Sequence, residues 1–312
     1  MSMARVYGAN DSSSESDYES SSSSNSGEVL AKPVQVSYHE DKSITGSEGS
    51  EGSGRSEADQ DFTNLRSGLY SWWFQVLGDY TSRNLTFPSD KFAAISCLAK
   101  ELNTTFLNET GSEDNYVAGI WLGALGDCLL WRPQWPIDMQ RERPKLDRAP
   151  SWSWARWDVP CTPCADNWPK LRPECRVMEY AGHTVELMTS NRYGGIKNAT
   201  LQIRVGLAEI TWYDAFEASG RVGGYHMSMT GSQERIGVVK FDTTDGHERG
   251  KGEEKFYAMQ VMVQNVPVHN PAGLVLRKVG NEHNYERLGV FQLDTEHLET
   301  LSALRKDIIT LV

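Results

Sequence analysis

No stretch of this chain is apolar for long enough to cross a membrane as a helix, because none reaches the ~20 residues that a bilayer requires. Excess positive charge is missing as well. Lys and Arg number 31 against 42 Asp and Glu, a net charge of −11. Residues 1–61 hold −8 of it, with 12 acidic and 4 basic side chains, which leaves −3 for the rest. A basic groove that could track a phosphate backbone therefore has no source, and a nucleic-acid partner is not expected. Cysteine is scarce, five residues in 312, too few for a disulfide scaffold. The N-terminal stretch is polar rather than signal-like, so the expectation is a cytoplasmic chain with reduced thiols and no membrane partner. Chemistry-bearing signatures are absent too. No Gly-x-Ser-x-Gly elbow occurs, and Gly194-Gly195 and Gly223-Gly224 are turn glycines outside any Walker or dinucleotide fingerprint.

What is present falls into three segments. Residues 1–61 are an acidic, low-complexity tail: 17 of the first 60 residues are Ser, including the run Ser20 to Ser24. Such a composition buries too little apolar surface to offset its ordering entropy, so disorder is expected. Residues 62–147 read as a helical segment. Leu69, Trp73, Val76, Leu77 and Tyr80 follow helical spacing and stop before Pro88. A second helix starts after Ser89, with Phe92, Ile95, Ala99 and Leu102 on one face. Val117, Trp121, Leu125, Cys128 and Leu129 suggest a third, weakened by Gly119, Gly123 and Gly126.

Residues 148–312 read as an antiparallel β domain of sandwich or barrel type. The segment opens on Arg148-Ala149-Pro150-Ser151-Trp152-Ser153-Trp154-Ala155. Pro150 favours extended backbone before it, and alternation predicts a strand with Trp152 and Trp154 buried on one face. Trp157 breaks that spacing and points to a bulge or turn near Arg156. Short β-rich runs follow at Thr184–Met188, Leu201–Gly206, Ala208–Tyr213, Ile236–Asp242, Phe256–Val263, Gly273–Val279, Tyr285–Leu293 and Ile308–Val312. The seventh follows the sixth across a polar loop, the pattern of a hairpin, and Thr295–Lys306 reads as a short helix. The fold class is α+β: a disordered Ser-rich tail, a small helical segment and a mainly antiparallel β domain.

Chemistry has few candidates. Cys161, Cys164, Cys175 and His183 are the nearest approach to a zinc set, since Cys-x-x-Cys suits tetrahedral zinc. A structural site ordinarily shows a second close pair, so loop thiols are the expected reading and no metal or cofactor is assigned. The acidic pairs Glu113-Asp114 and Glu253-Glu254 lie in polar loops, and His39, His226, His247 and His283 are scattered. No catalytic residue is assigned and no enzymatic activity is expected. Ten tryptophans could form a stacking platform for sugar, but most fall on core-facing positions.

The residues do carry a family pattern. Asp79-Tyr80-Thr81-Ser82-Arg83-Asn84-Leu85-Thr86-Phe87-Pro88-Ser89-Asp90-Lys91 and Ala93 to Ala99 resemble the segment that follows the effector module in fungal heterokaryon-incompatibility (HET) domain proteins. Tyr116 to Trp121 and Leu129-Leu130-Trp131 are similar to that family's "Y-x-A-G-L-W" and "L-L-W". Arg148 to Ala155 matches its "R-A-P-S-W-S-W-A" without a gap. Asn191 to Gly194, Gly273 to Arg277, Tyr285 to Phe291 and the terminal Ile308 to Val312 continue the likeness, which covers residues 64–312. The family's effector signatures, "Y-x-A-L-S-Y-x-W-G" and "R-x-W-x-x-Q-E", do not occur here. The resemblance implies a truncated, non-catalytic interaction or regulatory module linked to non-self recognition and programmed cell death, with other incompatibility proteins as partners. The alternatives are a sugar-type ligand-binding β domain and a non-functional gene remnant.

Overall fold

A computed structural model describes residues 57–134, 146–162, 176–214, 224–243, 254–263, 272–280, 283–297 and 300–312, all within the unit Ser37–Val312. The expected tail lies outside them up to residue 56. Helix α1 (Glu57–Thr81) starts upstream of the apolar periodicity that announces it. After a 3-10 turn at Pro88–Asp90, α2 (Lys91–Thr110) buries Phe92, Ile95, Ala99 and Leu102, the predicted face. Ser89 does not cap it. Its hydroxyl donates to Asp90 Oδ1 at 3.3 Å, and Asp90 takes the cap position. Gly111, with φ of 73°, closes the helix as a left-handed cap donating to Leu107.

The third predicted helix is replaced by a hairpin and one helical turn. Strands β1 (Tyr116–Val117) and β2 (Ile120–Trp121) pair antiparallel across Ala118-Gly119. Both turn residues have positive φ, 47° and 95°, as a type I′ turn requires. A 3-10 turn at Leu122–Ala124 leads into the one α-helical stretch here, α3 (Leu125–Leu129). The helical spacing was satisfied by side chains that are buried all round, where periodicity carries no information about one face.

The tryptophan run is also not a strand. Ser153 turns the chain into a 3-10 turn at Trp154–Arg156, its hydroxyl accepting from the Ala155 amide at 3.2 Å. Trp152 and Trp154 are buried as expected, but so are Ser151, Ser153 and Ala155. With both sides enclosed, alternation has no solvent face to read.

Strands β3 (Arg132–Pro133) and β4 (Cys161–Thr162) pair as a separate two-stranded ribbon, and the remaining strands form one sheet: β5 (Glu179–Leu187), β6 (Ile196–Asp214), β7 (Tyr225–Met229), β8 (Gly237–Phe241), β9 (Phe256–Met262), β10 (Ala272–Lys278), β11 (Asn284–Leu293) and β12 (Lys306–Leu311). All pairings are antiparallel except a short parallel contact between β11 and β12. Two expected strands are one: β6 runs unbroken for 19 residues. Its first half pairs with β5 and β12, its second with β7 and β9. Strand β7 was not anticipated, and Thr295–Lys306 gives a 3-10 turn at Thr295–His297 rather than a helix.

Because β10 pairs with both β9 and β11, and β6 with both β7 and β9, the sheet closes on itself. The barrel formed by β7, β8, β11, β10, β9 and the end of β6 encloses Ile210, Met227, Val239, Phe256, Val275 and Phe291. Leu274 and Leu276 of β10 and Met259 and Val261 of β9 belong instead to a second, larger core with the helices and the tryptophans. Strands β9 and β10 thus separate two apolar clusters and are buried on both faces.

Candidate functional site

Tyr116 to Trp121, Leu129 to Trp131, Tyr285 to Phe291 and Ile308 to Val312 meet around the tryptophan turn. Trp154 Nε1 donates to the Gly119 carbonyl at 2.6 Å, and Ser153 Oγ to the Ala118 carbonyl at 2.6 Å. These two bonds take the carbonyls of the β1–β2 turn, so the turn's strained backbone is held from 35 residues away. Gly119 has no alternative. A Cβ there would lie 2.7 Å from Trp154 Nε1, at a φ that already disfavours one. Trp131 Nε1 donates to the Trp152 carbonyl at 2.8 Å, and Trp152 Nε1 to the Leu311 carbonyl at 3.1 Å. The main-chain oxygen of Val312 accepts from both the amide and the hydroxyl of Ser151. The last strand is thereby fastened to the turn.

Arg287 of β11 completes the junction from the other side. Its amide donates to Ser151 Oγ at 2.9 Å. Its guanidinium lies 3.5 Å from the Trp131 ring centroid and donates to the carbonyls of Leu129 and Trp131. Nε and Nη2 reach the two oxygens of Asp242 at 2.9 and 3.2 Å. Both side chains of this ion pair are buried, and the planar fork is what lets one cation serve two carbonyls and a carboxylate.

Beside the junction a cleft of about 80 Å³ opens between the end of α1, the start of α2 and the loop after the tryptophan turn. Tyr80, Arg83, Asn84, Leu85, Pro88, Lys91 and Asp158 line it. Lys91 is only 4% exposed. Its ammonium donates to the Trp157 carbonyl and lies 5.9 Å from the Trp154 ring centroid. Tyr80 Oη donates to the Lys91 carbonyl at 2.6 Å. Burial is the first cause of the Lys91 amine's fall from 10.5 to about 8; the Arg148 charge adds to it and the Asp158 charge opposes it. Burial also pushes the Tyr80 phenol up to about 12.

The zinc candidates do not assemble among the described residues. Cys164 and Cys175 lie outside them. Cys161 is buried, pairs through its strand β4 (Cys161–Thr162) with β3 (Arg132–Pro133), and its thiol donates to the Val159 carbonyl at 3.4 Å. Burial pushes that thiol up to about 12. His183 sits on β5 with Nδ1 2.5 Å from Tyr180 Oη, its pKa lowered by burial. No group of metal-ligating side chains occurs among the described residues.

The acidic pairs are structural where described. Asp114 accepts from Tyr70 Oη at 2.7 Å and from the Gly123 amide, while Glu113 meets Arg192 at 3.0 Å. Glu254 lies 3.3 Å from Arg277, and Glu253 is outside the described residues. Of the scattered histidines, His226 is on β7 and His283 precedes β11; His39 and His247 are outside. Trp73, Trp121, Trp131, Trp152, Trp154 and Trp157 are all buried, so these six indoles form no stacking platform. Lys91, Asp158, Asp242 and the role of Arg287 were not foreseen; polar residues beside a helix start or within a strand give no pattern that marks burial. No helix among the described residues is long and apolar enough to cross a membrane. No protein-family model, curated protein or solved structure matches the chain.

Proposed function

We propose that the chain is a non-catalytic interaction and regulatory module of the heterokaryon-incompatibility type, acting in the cytoplasm on fungal non-self recognition and programmed cell death. The observation that supports this reading is the convergence of its sequence likenesses. Tyr116 to Trp121, Leu129 to Trp131, Arg148 to Ala155, Tyr285 to Phe291 and Ile308 to Val312 are remote in sequence, yet they hydrogen-bond to one another at one junction.

The module's proposed partners are full-length incompatibility proteins that carry the effector domain. Co-expression of this chain with such a protein in a fungal host tests the reading. Association in a pull-down, together with a change in the fraction of dying cells, is the expected result. A chain that neither associates nor alters cell death would end the proposal.

A further inference from the structure

We propose that the Lys91 cleft is a binding site for a carboxylate carried on a short aliphatic stem. The first ground is hydrogen-bonding capacity. An ammonium offers three donors, and among the described residues the Trp157 carbonyl is the one protein acceptor within hydrogen-bond reach of Lys91 Nζ. A buried cation with so few protein acceptors is costly, and an anion relieves it more fully than a neutral acceptor because it also offsets the charge.

The neighbouring carboxylate is held back from that role. Arg148 grips Asp158 with both arms, Nη1 to Oδ2 at 3.2 Å and Nη2 to Oδ1. Arg148 is itself fixed by the carbonyls of Ala155 at 2.6 Å and Arg156 at 3.2 Å. Asp158 Oδ1 therefore stays 4.0 Å from Lys91 Nζ, beyond a hydrogen bond. The same arrangement selects the ligand's charge. Lys91 is the buried amine among the residues lining the cleft, with Asp158 close by and Arg83 already paired to Asp79 at 2.6 Å. Lys91 and Arg148 against Asp158 leave one positive charge at the cleft, which a single carboxylate matches and a dianion such as phosphate exceeds.

Size and lining set the rest. About 80 Å³ holds a few water-sized groups, enough for a carboxylate and one or two carbons. Leu85 and Pro88 supply apolar walls for the stem, and Asn84 lies in the lining as an exposed amide. Binding would place a negative charge beside the amine and raise its proton affinity, so uptake of a proton accompanies binding near pH 8.

The test titrates the full chain, ¹³Cε-labelled at lysine, with propionate, with its uncharged analogue propionamide, with chloride, and with an end-blocked peptide bearing one glutamate. A saturable shift of the Lys91 resonance with propionate or the peptide, absent with propionamide and chloride, is the expected result. Response to propionate alone assigns a free acid; response to the peptide assigns an acidic side chain of a partner. Asn84→Trp, at an exposed lining position that leaves Lys91 intact, is expected to weaken binding at least tenfold. Lys91→Met, read by tryptophan fluorescence, is expected to abolish it. An unsaturated response to both carboxylates, an equal shift with propionamide or chloride, or unchanged binding in Asn84→Trp would overturn the proposal.

Discussion

Replacing Lys91 with Met tests how the junction bears a buried charge. The fall of the amine from 10.5 to about 8 is equivalent to about 3 kcal/mol, each tenfold change in proton affinity being ~1.4 kcal/mol. The sign follows from proton counting. Below pH 8 the amine is charged in both folded and unfolded chains, and the folded state bears the full penalty. Between pH 8 and 10.5 the unfolded chain binds more protons, so this group makes stability rise with pH by up to about 3 kcal/mol.

Lys91→Met removes both that penalty and the bond to the Trp157 carbonyl. An unpaired buried acceptor costs about 1–3 kcal/mol. The variant is therefore expected to equal or exceed the parent by up to about 2 kcal/mol at pH 7, and to fall about 1–3 kcal/mol below it at pH 10.5. Urea unfolding of both proteins at a series of pH values measures this, with the midpoint and slope read separately. Cys161, raised to about 12, and Cys128, raised by burial, contribute in the opposite sense above pH 9. Cys128 cancels between the two proteins, but the Lys91 charge acts on Cys161, so both are compared in a Cys161→Ala background and the difference between the two curves then isolates Lys91. A difference that stays constant from pH 7 to 10.5 would refute the reasoning, because it would mean that Lys91 titrates alike folded and unfolded.

Further outcomes follow from the same contacts. Arg287→Met leaves Asp242 buried without its cation and is expected to destabilise by about 3–5 kcal/mol, while the double variant Arg287→Met/Asp242→Leu recovers part of the loss in a denaturation cycle. Gly119→Ala meets Trp154 Nε1 at 2.7 Å in a backbone region that costs ~1–2 kcal/mol by itself; a thermal midpoint within a degree of the parent would contradict it. Trp154→Phe keeps most of the packing but strands the Gly119 carbonyl, an expected loss of about 1–3 kcal/mol in urea. Thiol titration of the native protein should find Cys97 reactive and Cys128 and Cys161 silent until the chain unfolds.

Local chemistry explains which elements could be read from residues alone. Helices α1 and α2 each keep a solvent face, so Leu69, Trp73 and Leu77, or Phe92, Ile95 and Ala99, mark the buried side at the helical period. The hairpin of β10 and β11 was legible because a polar loop separates two β-rich runs. Legibility fails where an element is enclosed. Val117 to Leu129 fits a helix on paper, yet the type I′ turn at Ala118-Gly119 lacks the usual Asn-Gly signature and depends on donors from Ser153 and Trp154. Strand β6 was divided at Gly206, which reads as a break. In the structure Gly206 serves close approach: a Cβ there would fall 2.7 Å from Leu304, so the glycine admits a neighbour without interrupting the ladder.

The tryptophan turn shows why a sequence pattern can be exacting for structural reasons. Each of its side chains has a partner whose identity is fixed by chemistry rather than volume. A buried indole N–H usually finds a partner, and Trp131, Trp152 and Trp154 each find a carbonyl, whereas those of Trp73 and Trp121 are buried without a hydrogen bond among the described residues. Ser153 fits because only a small hydroxyl can cap its own turn and reach the Ala118 carbonyl together. Arg148 fits because its fork spans two carbonyls and Asp158. Substituting any of these with an apolar residue of similar size would leave a buried polar group unmatched, which costs more than the volume change. The same network that fixes Asp158 also leaves Lys91 short of an acceptor, so the rigidity of the junction is what turns a buried lysine beside it into a place for a ligand.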